Sequence, residues 1–216
     1  MTSARTHPAH SASAPRLARD SRWSENVWNL AVQQLTSGGP VIVAAHACTV
    51  LVYSAWSITT SEMAGLIRRT SGFVQVALPD YRCDALLLPE AAPTNRNRYR
   101  SGFGQCVTVD AAQGITTGIS AEDRAHTVRV LCASATTATD LTRPGHVVPV
   151  RADVPADLHA SPLPLATAVL ALTMQALPTP GAAYAELTSE LDPLHPIQLD
   201  ETRQIADHMH TVAVPI

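Results

Sequence analysis

Apolar positions in this chain recur at two spacings, and the switches between them outline the elements. Behind Ser24, a candidate N-cap, Val27, Leu30, Ala31 and Leu35 fall on one helical face, and Ser37-Gly38-Gly39-Pro40 stops the run. Val41–Val43 and Val50–Tyr53 are short apolar runs that predict buried strands, with Ala44–Thr49 between them. Thr59 and Glu62 form a capping-box pattern opening a helix to about Arg69, closed by Gly72, and Phe73–Ala77 reads as a strand. Further on, Cys106–Val109 reads as a strand, and Ser120 with Asp123 caps a helix carrying Val128 and Leu131. Val147–Val150 is a strand, Ser161-Pro162 opens an apolar helix that ends at Pro178, and Tyr184–Leu187 is a strand. Asp200–His208 is a helix before the last strand, Thr211–Val214. Helices and strands mingle without an internal repeat, so residues 23–216 predict a single mixed α/β domain. Residues 1–22 are rich in Ala, Ser, Pro and Arg and lack periodicity, which predicts a flexible tail.

Composition narrows the chemistry. Hydrophobic residues make up 46% of the 216 residues and charged residues 15%, with a net charge of -3. That balance offers no basic surface for nucleic acid or an anionic membrane. All fifteen basic residues are Arg, which excludes Schiff-base catalysis, pyridoxal phosphate anchoring and a phosphate-loop Lys. Cys48, Cys83, Cys106 and Cys132 form no CxxC pair, and reduced thiols in a cytoplasmic protein are expected. The longest apolar runs are too short to span a bilayer, and the N-terminus lacks a secretory signal's apolar segment. Nine His residues include no HxxxH or HExxH pair, so their spacing supports no metal site. Arg96, Arg98 and Arg100 in Pro89–Gly102 are read as a solvated polar loop.

Two segments are more specific. Gly114–Arg124 (GITTGISAEDR) places paired Thr and a Gly ahead of a helix N-terminus, where hydroxyls and N–H groups can hold an oxyanion. Arg143-Pro144-Gly145-His146 reads as a rigid turn that aims a His from the start of a strand. Together with Arg68–Gly72, the whole of Val107–Arg124 (VTVDAAQGITTGISAEDR), Asp140–Val150 and Ala185–Thr188, they resemble the 3,4-dihydroxy-2-butanone 4-phosphate synthase family of the riboflavin pathway. The resemblance runs from about Glu25 to Ile216. It implies an α+β fold, a three-layer mixed-sheet sandwich, and a homodimer with active sites at the subunit interface. It also implies that His146 and Glu186 are the catalytic acid–base residues.

The chain departs from that family at three places. The family's acidic loop, which supplies a magnesium ligand and substrate-binding Arg and Asp, is replaced by Ala44-Ala45-His46-Ala47-Cys48-Thr49. In the segment holding the second metal ligand, Leu163 stands for the His and Leu165 for the Glu, while Gln75 stands for an active-site Cys. The resulting expectation is an enzyme without metal or other cofactor, catalysing an acid–base rearrangement, dehydration or cyclisation of a small unphosphorylated metabolite in specialised metabolism. His146 and Glu186 would move the proton. Thr117, with N–H groups near Gly118, would steady an enolate oxygen, and Gln75, His46, Leu163 and Leu165 would line the pocket. The alternatives are a non-catalytic binding or regulatory homologue, including a heterodimer with an intact synthase, and the ordinary synthase acting on ribulose 5-phosphate.

Overall fold

The computed structural model describes residues 25–45, 48–91, 104–156, 163–189 and 197–216. The predicted tail and the Arg96–Arg100 loop lie outside them. Seven strands form one mixed sheet: β1 (Val41–Ala44), β2 (Thr49–Ser54), β3 (Gln75–Pro79), β4 (Val109–Ala111), β5 (Leu141–Ala152), β6 (Ala182–Glu186) and β7 (Val212–Pro215). Their order across the sheet is β4-β5-β3-β6-β2-β1-β7, with β3–β5 and β1–β7 parallel and the other pairs antiparallel.

The apolar runs are continuous because both sheet faces are covered. Val50 and Val52 face α1 (Glu25–Thr36) and α5 (Leu165–Ala176), sharing a core with Trp28, Leu35, Val169 and Leu172. Leu51 and Tyr53 face the other way, toward Met63 and Leu66 of α2 (Thr60–Arg69) and Val128 and Leu131 of α4 (Ala121–Cys132). α6 (Leu199–His208) packs on that second face through Ala206. The result is the α+β three-layer arrangement implied by the resemblance.

The predicted caps form. Thr59 accepts from Glu62 N at 3.2 Å while the Glu62 carboxylate accepts from Thr59 N at 2.7 Å. Ser120 Oγ accepts from Asp123 N at 3.0 Å. Two expectations change. Arg143–His146 is no turn but part of the first half of β5, which starts at Leu141 because it pairs with β4. The strand expected at Cys106–Val109 is reduced to isolated bridges at Gln105 and Cys106, with β4 following at Val109. A short helix, α3 (Asp80–Ala85), has no counterpart in the sequence reading.

Candidate active site

The geometry is best built from β4. Its register against β5 shifts between Val109 and Asp110, and this irregularity turns the Asp110 carboxylate along the partner strand. Asp110 Oδ1 accepts from the His146 backbone N–H at 2.9 Å, and Oδ2 lies 2.8 Å from His146 Nδ1. The Asp110 side chain is 8% exposed and that of His146 40%. A carboxylate only accepts, so Nδ1 carries the proton and Nε2 is left as the acceptor on the accessible side.

Two glycines make this pairing possible. A Cβ on Gly145 would sit 2.0 Å from the Val109 carbonyl carbon, so β5 approaches β4 this closely only through Gly. Gly118, at φ +83°, lies against the pair itself, where a Cβ would meet Asp110 Oδ2 at 2.2 Å and His146 Nδ1 at 2.7 Å. The TTG segment thereby packs on the Asp110–His146 pair.

The N–H groups of that segment are engaged elsewhere. Asp123 Oδ1 accepts from Thr116 N and Oδ2 from Thr116 Oγ1 and Gly118 N, at 2.8–3.0 Å. These donors, led by the Thr116 backbone, hold the Asp123 carboxyl below its ordinary range. The expected oxyanion role of the Gly118 N–H is therefore taken by an internal carboxylate. What remains of it is Thr117, which is exposed.

Glu186 stands at the end of β6. Gln75 pairs with Val148 on β5 and with Tyr184 on β6. His146 and Glu186 each lie two residues further toward the same end, hence on the same sheet face. With β3 between their strands they are about 10 Å apart. Glu186 therefore does not orient His146; Asp110 does. Burial raises the Glu186 carboxyl above its usual range. It also pushes the neighbouring Cys48 thiol up to about 11, with the Glu186 charge adding to the effect. α5 packs across β3 and β5, and Leu163 and Leu165 are half-buried at its start. His46 lies outside the described residues.

Nothing local in the sequence singles out Asp110, although it lies in the Val107–Arg124 segment. Its partner is 36 residues away, and the pairing passes through a strand irregularity that no periodicity announces.

The described residues do not fit a magnesium site. Among the described residues no three His, Cys, Asp or Glu side chains cluster as metal ligands. The position expected for a metal His is the aliphatic Leu163.

The mixed sheet thus carries an Asp–His pair at one end, with a second carboxyl on the same face. Residues 29–216 match the 3,4-dihydroxy-2-butanone 4-phosphate synthase family, and the chain belongs to it. The riboflavin biosynthesis protein RibBA of Rhodococcus jostii is 40% identical over 167 residues, 77% of this chain and 39% of that protein. The 3,4-dihydroxy-2-butanone 4-phosphate synthase of Desulfatibacillum aliphaticivorans is 45% identical over 102 residues, 47% of this chain and 46% of its own. This chain thus matches less than half the length of either relative. The crystal structure of the Candida albicans synthase superposes with a TM-score of 0.73 at 31% identity, covering 86% of this chain and 91% of that one. A synthase in complex with two magnesium ions gives 0.74 at 29% identity, covering 86% and 90%.

These relatives correct one expectation. A repurposed, metal-independent enzyme for an unphosphorylated metabolite is not what relatives at 40% identity over 77% of the chain favour; they carry the names of riboflavin biosynthesis proteins. Among the described residues no helix is long and apolar enough to cross a membrane.

Proposed function

We propose that this chain acts as a 3,4-dihydroxy-2-butanone 4-phosphate synthase, converting ribulose 5-phosphate to its four-carbon product with release of formate. The observation that carries the reading is the Asp110–His146 pair, whose geometry leaves Nε2 as a base. A ketose loses a proton readily only from a carbon beside its carbonyl, and a fixed imidazole is suited to take it. Asp110 then stabilises the imidazolium that forms. Glu186, whose burial favours its protonated form, returns a proton from the other side of β3. Thr117, Gln75, His46, Leu163 and Leu165 are the proposed substrate contacts, and no step passes through a metal.

The same reading takes the chain as a cytoplasmic homodimer. The free, buried cysteines suit a reducing compartment. Phe73 and Ile119, 51% and 59% exposed beside the TSG and TTGIS segments, offer apolar surface for a second copy.

The test is formate release from ribulose 5-phosphate, in buffer containing magnesium, with an authentic synthase as positive control. Formate from the wild type but not from His146→Gln supports the reading. Tight binding of the sugar phosphate without formate would make the chain a binding homologue instead.

A further inference from the structure

The sheet face that carries His146 and Glu186 is mostly apolar. Val50, Val52, Ala77, Val148, Val150 and Ala182 all lie in its core, and Gln75 sits among them 5% exposed. A buried amide must be hydrogen-bonded or it destabilises the fold by about 1–3 kcal/mol. Two donors converge on its oxygen: Gln105 Nε2 at 3.1 Å and Tyr184 Oη at 3.5 Å from Gln75 Oε1.

Both bonds use the Gln75 oxygen. In this arrangement Oε1 is the accepting atom and Nε2 is left to donate. Burial raises the Tyr184 phenol, which keeps it a donor. Gln105 is itself anchored, its carbonyl accepting from Ala91 N at 2.9 Å and its strand bridging Val150. The Gln75 Nε2 group has no acceptor among the described residues, and it is not one of the sealed, unpartnered polar atoms, which are Ser54 Oγ and Arg124 Nε. It is a held donor on β3, two residues further into the sheet than His146 and Glu186 and on the same face.

We infer that Gln105 and Tyr184 are positioning residues that hold the Gln75 amide as a hydrogen-bond donor to a substrate oxygen, and so set the site's preference for a ligand with an accepting oxygen at that point. The ligand used to test this, ribulose 5-phosphate, is the one the proposed function supplies.

Affinity for ribulose 5-phosphate is measured by calorimetry, and KM and kcat by formate release, for Tyr184→Phe, Gln75→Leu and the double variant. Tyr184→Phe removes only the hydroxyl. Gln75→Leu should weaken binding about tenfold, the value of one hydrogen bond. Tyr184→Phe should weaken it about threefold, in KM and not in kcat. In the Gln75→Leu background the Tyr184→Phe effect should vanish, because Tyr184 acts through the amide. Gln105→Met repeats the cycle from the other donor should Gln75→Leu fail to fold. A lowered unfolding temperature with unchanged affinity, or effects that simply multiply, overturns the inference while the formate assay still stands. The predicted pattern in binding without formate overturns the activity and keeps the inference. A wild type that does not bind the sugar phosphate overturns both.

Discussion

Replacing Asp110 by Asn keeps the size of the side chain and removes its charge. Asp110 accepts both the backbone N–H and the Nδ1–H of His146. An Asn oxygen can keep the backbone bond at 2.9 Å, but its NH2 then faces Nδ1, which must give up its proton to accept. The imidazole proton moves to Nε2, and the base becomes a donor. A correctly placed general base contributes about 10²–10⁴ in rate, so formate release should fall by that order. Exchanging charge-assisted bonds for neutral ones at a side chain only 8% exposed should lower stability by about 1–2 kcal/mol. Urea unfolding separates that loss from the rate effect, and ¹⁵N shifts of His146 report which nitrogen is protonated. A folded Asp110→Asn variant that keeps formate release within about threefold of wild type would refute the orienting role.

Gly118→Ala should reduce formate release and destabilise the fold by about 1–3 kcal/mol, since its Cβ meets the Asp110–His146 pair at a positive φ; the two losses are read by the same assay and by urea unfolding. Glu186 has a raised carboxyl pKa, so folding is favoured while it is protonated, and stability falls as pH rises from its unfolded value through its folded one. Glu186→Gln should flatten that part of the stability–pH profile, which thermal unfolding between pH 4 and pH 8 records. Asp123 behaves oppositely. Its lowered pKa contributes stability above the ordinary carboxylate range that is lost as pH falls through the folded value, and Asp123→Asn should remove this acid dependence.

Where a local rule suffices, sequence and structure agree. Thr59 and Glu62 announce α2 because a capping box needs only residues three apart, and the β-branched runs announce β1 and β2 because both sheet faces are apolar. The polar Thr142–His146 stretch carries no strand pattern, since its extension is imposed by β4 and by the close approach of Gly145. α3 spans six residues, too few for a periodic signal. His146 could be named from its motif, but its partner Asp110 and the Gln105–Gln75–Tyr184 contacts are made between distant strands. Substitutions at Gln75, Leu163 and Leu165 suggest a change of ligand when read locally, while the relatedness of the whole chain favours the family's own reaction.

The most direct test follows uniformly ¹³C-labelled ribulose 5-phosphate by NMR in D2O with wild-type protein and magnesium. The account predicts a growing ¹³C-formate signal and solvent deuterium in the four-carbon product, both absent with His146→Gln. Labelled sugar that remains unchanged over a day beside stoichiometric folded protein would contradict it.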